Sequence, residues 1–150
     1  MYDVIIIGAG PSGASAALFT AKAGKKTLVL DNDKSVTKRA WIENHYGVEE
    51  ITGPDLIAIG KKQAEKFGAE FKVATAEKIE VANDGVIVQT EEVNYMATEV
   101  ILASGMLVDL AEASGIKTVP GTEPRIKKII DVDENGKTYL GIEFGSTRIK

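Results

Sequence analysis

The sequence predicts an α/β fold: a central parallel sheet carrying helices, with a small antiparallel β-meander attached. Three observations predict it. The apolar run "VIII" at residues 4–7 drives into the glycine-rich "GAGPSG" and then into alanine-rich sequence. A second apolar run, "KTLVL" at 26–30, follows at the spacing of one βαβ unit and ends at Asp31. Short alternating blocks between residues 77 and 97 surround Asn83-Asp84-Gly85, a hairpin signal, and lead into another apolar run at 100–103.

Each element has a local reason. Residues 3–7 leave no polar face and read as a strand buried on both sides. Residues 11–23 read as a helix of small residues, and 26–30 as the next buried strand. Residues 32–53 show weak periodicity and read as a long loop with room for a short helical piece; loops of that length are commonly functional. "ITGPDLIAIGKKQAEKFG" reads as a helix capped by Thr52 or Gly53, with Pro54 in its first turn and Gly68 stopping it. Ile57, Gly60, Ala64 and Phe67 fall on one of its faces. Residues 70–74 read as a short strand. The blocks "EKIEVA", "GVIVQT" and "EVNYMA" read as the meander, and "EVILAS" as a return to a buried strand at 100–103. "DLAEASG" reads as a helical turn. "RIKKIIDVDENGKTYLGIEFG" reads as two strands around Glu134-Asn135-Gly136.

Composition bounds the function. The chain has 150 residues, one ordinary domain in size, and residues 126–150 are its atypical part. With 44% apolar and 27% charged residues it has the makeup of a globular core. A net charge of −4 gives no long-range attraction to nucleic acid or an anionic membrane. "KKQAEK" and "RIKK" read as solvated faces. There is no cysteine, which excludes disulfides, thiolate metal sites and a dithiol redox pair within these residues and fits a cytoplasmic address. No apolar run approaches the roughly 20 residues that cross a bilayer. The first run follows Asp3, not a cationic leader, and is read as a strand rather than a signal peptide.

"GAGPSG", residues 8–13, is a GxGxxG with the context that gives it meaning: a buried strand before, a helix after, an acid closing the next strand. Gly8 permits the tight turn, Gly10 lets a pyrophosphate approach the backbone, and Gly13 lets helix and strand pack closely. The helix N-terminus offers N–H groups and partial positive charge to phosphates. The Asp31 carboxylate suits ribose hydroxyls and repels a 2′-phosphate. The fold class is thus Rossmann-like, a FAD/NAD(P)-binding domain, and the fingerprint alone leaves FAD and NAD open.

Three segments in order carry a resemblance. "IIIGAGPSGASAALFTAKAG", "WIENHYGVEEITGPDLIAIGKKQAEKFGAEF" and "VILASG" (residues 100–105) resemble the FAD-binding part of the thioredoxin-reductase-like flavoproteins over about residues 2–125. The resemblance implies that Gly8, Gly10, Pro11, Ser12 and Gly13 hold the FAD pyrophosphate and Asp31 the adenosine ribose. It places Asn44 near the flavin end, although "ENHYG" also reads as a turn. It sets Ala76 against the adenine, and has Ala103, Ser104 and Gly105 pass close to the cofactor. The implied function is a small FAD-binding oxidoreductase without its own redox dithiol. The alternatives are an NAD-binding protein of the same fold, or a non-catalytic dinucleotide-binding subunit acting through a partner.

Departures from the family pattern bear on mechanism. After Asp31 the family's Gly-Gly-Gln stretch is replaced by Asp33-Lys34-Ser35. Thr37, Lys38 and Arg39 follow; their cations either meet phosphates or a substrate, or face solvent. The Cys-x-x-Cys pair and a second GxGxxG are absent. Where the family carries Ala-Ala-Gly-Asp, this chain reads "EFGSTRIK", so the second half of the flavin clamp is missing or replaced. "YLGIEFGSTRIK" also resembles the first phosphate-binding hairpin of sugar kinases of the actin-like ATPase superfamily, too short a match to assign ATP binding. Reducing equivalents are expected from diffusing NAD(P)H or a redox partner protein. An open flavin face favours a homo-oligomer. His45, the single histidine, reads as an exposed loop residue rather than a proton donor. Trp41 and Tyr46 either stack on a flavin or pin the loop. No metal site is expected: Asp131, Asp133 and Glu134 read as turn chemistry. No catalytic residue is identified.

Overall fold

A computed structural model describes residues 1–138 and 143–144. In chain order the elements are β1 (Tyr2–Ile7), α1 (Pro11–Lys22), β2 (Thr27–Asp31), a 3-10 turn (Val36–Arg39), β3 (Trp41–Ile42), β4 (Ile51–Thr52) and α2 (Gly53–Lys66). There follow β5 (Glu70–Val73), β6 (Ala76–Ala82), β7 (Gly85–Thr90), β8 (Asn94–Leu102), α3 (Asp109–Ala113), β9 (Thr118–Pro120), β10 (Lys128–Ile130) and β11 (Glu143–Phe144).

The main sheet runs β5-β2-β1-β8-β7-β6, with β11 also on β8. Strands β5, β2, β1 and β8 are mutually parallel, and β8, β7 and β6 antiparallel. The outer edge of β8 is divided: residues 94–97 pair with β7, and Ile101 and Leu102 pair in parallel with Glu143 and Phe144. Only Ala74 and Thr75 separate β5 from β6, at opposite ends of the hydrogen-bonded order. That link reaches about 11 Å at most, whereas five strand spacings in a flat sheet come to roughly 24 Å. The sheet therefore folds over at β8 and lays the meander back across the parallel strands.

Burial agrees with this layering. Ile5, Ile7, Leu28, Leu30, Val100 and Leu102 pack with Ile79, Val86 and Val88 of the meander on one side. Val4, Ile6 and Val29 face the other side, against Ala17 and Ala21 of α1 and Ala64 of α2. Strands clothed on both faces explain the unbroken apolar runs. Small side chains let the helices sit close: a Cβ added to Gly60 would touch the Ala14 Cβ at 3.4 Å. Thr52 caps α2, its hydroxyl accepting from the Asp55 N–H at 3.3 Å.

Four details differ from the sequence reading. "EVNYMA" and "EVILAS" are one strand, β8, because its first half serves the meander and its second half the parallel sheet. Phe67 is 42% exposed, off the core face, with the Lys22 ammonium 5.7 Å from its ring. The strand at 128–130 pairs antiparallel with β9, not across residues 134–136. The proposed second strand of that pair falls mostly on residues outside those described, and β11 joins the main sheet instead. The 32–53 loop contains the small β3–β4 pair besides its helical turn.

At the lower edge, the Tyr2 hydroxyl donates to Glu70 Oε2 at 2.8 Å, reaching across β2 to β5. Desolvation, then the hydrogen bond and charge of Glu70, push this phenol up to about 12. A folded pKa above the ordinary 10.0 favours the neutral phenol in the fold. Its contribution is complete below pH 10 and is lost as pH rises toward 12. Urea unfolding of the chain and of Tyr2→Phe is expected to show a stability difference that shrinks across that window. Leu28→Ala, emptying a fully buried site, is expected to cost about 3 kcal/mol in the same assay.

Candidate functional site

The C-terminal ends of β1, β2 and β8 are laced together. The Gly8 N–H donates to the Leu30 carbonyl at 2.9 Å, and the Ala103 N–H to the Ile7 carbonyl at 2.8 Å. Directly above this junction α1 begins. Gly8 adopts φ +108, and any Cβ there would collide with the Ala103 carbonyl. A Cβ at Gly13 would collide with the Gly8 carbonyl. These two glycines are explained by the protein's own packing: the first turn of α1 lies against bare main chain.

Gly10 is different. Its backbone is ordinary (φ −68, ψ −174), and the nearest atom to an added Cβ would be Ser35 Oγ at 3.1 Å. Neither strain nor a main-chain clash demands glycine. Gly10 is the N-cap of α1 and no side chain caps the helix; Pro11 opens it, and the Ala14 N–H makes the first intrahelical bond to the Gly10 carbonyl at 2.9 Å. A bare glycine face beside a helix N-terminus, with its N–H groups and partial positive charge, is chemistry suited to an anion.

Asp31 closes β2 next to this turn. Its Oδ1 accepts the Asp33 N–H at 2.8 Å, and its backbone carbonyl accepts the Ala74 N–H at 3.0 Å. Asp33 has φ 62 and pairs through its carboxylate with the Lys38 ammonium. Ser35 caps the following 3-10 turn, accepting the Thr37 N–H at 3.3 Å. A Cβ at Gly53 would collide with the Thr37 carbonyl, so the start of α2 is pressed against this turn. Beyond Asp31 an open pocket of about 430 Å³ is bordered by Asn32, Lys72, Ala74, Thr75 and Tyr95.

A second cleft of about 200 Å³ lies between α1 and α2, bordered by Gly10, Pro11, His45, Ile57, Gly60 and Gln63. His45 is exposed, as the sequence reading has it, yet it stands at the mouth of the same cleft as the glycine turn. Asn44 precedes a turn in which the Val48 N–H donates to the His45 carbonyl, so both readings of "ENHYG" retain a basis. Trp41 and Tyr46 are exposed. Ala76 opens β6, two residues past Ala74. Ser104 donates to the Leu107 carbonyl at 3.0 Å in a turn with Gly105 at φ +70. Pro11, Ser12, Gly13 and Ala103 are thus gathered with Gly8 and Gly10, while Asn44 and Ala76 sit on the flanks. Ser35 was not among the sequence candidates; only its place in a capping position hinted at a fixed side chain.

Among the described residues no cluster of His, Asp and Glu could hold a metal. Asp133 Oδ1 accepts the N–H groups of Asn135 and Lys137 at 2.8 and 2.9 Å, a turn-forming role. No described helix is long and apolar enough to cross a membrane. "EFGSTRIK", with its kinase-like reading, lies outside the described residues apart from Glu143–Phe144.

Comparison with known proteins accords with this geometry. Residues 2–141 match the family described as pyridine nucleotide-disulphide oxidoreductase. The thioredoxin reductase of Aquifex aeolicus is 41% identical over 114 residues, 71% of this chain and 35% of that one. That of Peptoclostridium acidaminophilum is 34% identical over 125 residues, 81% of this chain and 40% of the relative. Among solved structures, the atypical thioredoxin reductase from Desulfovibrio vulgaris Hildenborough superposes with a TM-score of 0.67 at 36% identity, covering 83% of this chain and 40% of that one. The chain therefore spans well under half the length of these relatives. With the glycine turn, the parallel strands and the folded-over meander in place, it belongs to the pyridine nucleotide-disulphide oxidoreductase family.

Proposed function

We propose that this chain is a cytoplasmic FAD-binding unit of a thioredoxin-reductase-like oxidoreductase. One observation carries the proposal: Gly10 is bare without a reason internal to the protein, at the one place where a dinucleotide's diphosphate would meet a helix N-terminus. In this reading Gly8, Gly10, Pro11, Ser12 and Gly13 cradle the diphosphate. Asp31 keeps Oδ2 for ribose hydroxyls while Oδ1 is held by Asp33. The backbone at Ala76 lies toward the adenine. Ala103, Ser104 and Gly105 lie along the cofactor, with Asn44 toward the flavin end.

FAD, when bound, supplies two-electron chemistry between a nicotinamide and a disulphide. The chain's own residues bind and orient it. Having no cysteine, the chain relies on NAD(P)H as reductant and on a dithiol elsewhere, either on a partner protein or on further chain. Exposed Phe19 and Ile59 on α1 and α2 support self-association of this unit.

Gly10→Val is the informative substitution, because φ −68 accommodates a side chain and Ser35 is the nearest neighbour. The variant is expected to fold, losing at most about 1 kcal/mol through the weaker cap. It is expected to bind FAD on the order of tenfold or more weakly, since charge-assisted hydrogen bonds are lost. Visible flavin absorption retained through gel filtration reads this out. A wild-type chain that takes up no flavin, or a variant that binds it equally well, would refute the proposal.

A further inference from the structure

We infer that Ser35 is a cofactor-binding residue: its hydroxyl donates a hydrogen bond to the diphosphate seated over Gly10, and residues 31–38 are built to hold it there. This rests on the FAD reading above. The side chain met from the bare face of Gly10 is that of Ser35, its Oγ 3.1 Å and its Cβ 3.9 Å from where a glycine Cβ would be. An anion lodged at the helix N-terminus has α1 on one side and this hydroxyl on the other. One oxygen lone pair of Ser35 is used by the Thr37 N–H, which leaves the hydroxyl hydrogen to donate.

The segment fixes the position of that hydroxyl. The Asp33 N–H is held by Asp31, the Lys34 N–H by the Asn32 side chain at 3.1 Å, and the Lys38 N–H by the Ser35 carbonyl at 3.2 Å. Asp33 sits in the left-handed region, which its short polar side chain tolerates better than most. Its carboxylate then reaches the Lys38 ammonium. The lysine so placed is a positioning residue: its charge is matched by Asp33 while it ties the loop to Asp31, the ribose acceptor. Ribose and diphosphate recognition are therefore mechanically joined through a few residues. A neutral donor on a braced loop occupies the place where the sequence departs from the family's Gly-Gly-Gln.

The test compares the chain with Ser35→Ala and Ser35→Thr. FAD affinity is followed by flavin fluorescence, the bound diphosphate by phosphorus NMR, and the apo forms by thermal unfolding. Ser35→Ala is expected to bind FAD about tenfold more weakly, the loss of one hydrogen bond to a charged acceptor. It is expected to shift the bound phosphorus resonances with an unchanged apo melting temperature, while Ser35→Thr behaves like the parent. Equal FAD affinity in Ser35→Ala, unmoved phosphorus resonances, or an equal loss in Ser35→Thr would overturn the inference. So would an apo melting temperature that falls with the affinity. If the parent chain itself fails to bind FAD, the proposed function fails first; if the parent binds and Ser35→Ala matches it, only the role of Ser35 is lost.

Discussion

The first turn of α1 presses against main chain that carries no side chains. Gly13 lies on the Gly8 carbonyl, and Gly8 lies on the Ala103 carbonyl. This stack of two glycines and a carbonyl sets the distance between the helix and the strand ends. It brings β1, β2 and β8 to a common rim, laced by the Gly8–Leu30 and Ala103–Ile7 hydrogen bonds. Shift the helix outward by one methyl group and its N-terminus no longer overlooks that rim. Alanines at 14, 17 and 21 continue the same close approach along α1, and Gly60 and Ala64 extend it to α2.

The other side of the sheet meets a different requirement. Parallel strands must be covered on both faces, and with helices on one side only, the second face needs another layer. The two-residue link between β5 and β6 supplies it by turning the chain straight back over the sheet. Ile79, Val86 and Val88 fill the space above Ile5, Leu28 and Val100. α3 closes the end of this layer: Ser114 Oγ accepts the Ile79 N–H at 2.9 Å and donates to the Leu110 carbonyl at 2.7 Å. Lys128 Nζ, 2.6 Å from Glu112 Oε1, ties β10 to α3 and holds that carboxyl below its usual range.

Much of this was legible in the residues. Strand β1, helix α1, strand β2 and the capped helix α2 follow from apolar runs, small residues and capping chemistry that act locally. The Asn83-Asp84 turn was equally local, with Gly85 at φ +150. The fusion of two blocks into β8 was not legible, because a strand serving two different pairings has no signature in its own sequence. Nor was the β9–β10 pair, whose partners are set by tertiary placement. At the site, Gly8, Gly13 and Asp31 announce themselves by type and spacing. Ser35 does not: only its position opposite Gly10, 25 residues away in sequence, gives it meaning. His45 likewise gains a place beside the glycine turn only when the 32–53 loop folds back over α1 and α2.

A crystal structure of the chain grown with FAD tests the central claim most directly. The account predicts diphosphate oxygens within about 3 Å of N–H groups in the first turn of α1, resting on the face of Gly10, with the adenosine side toward Asp31. A diphosphate held anywhere else on the molecule, or crystals that exclude FAD from this turn at saturating concentration, would contradict it.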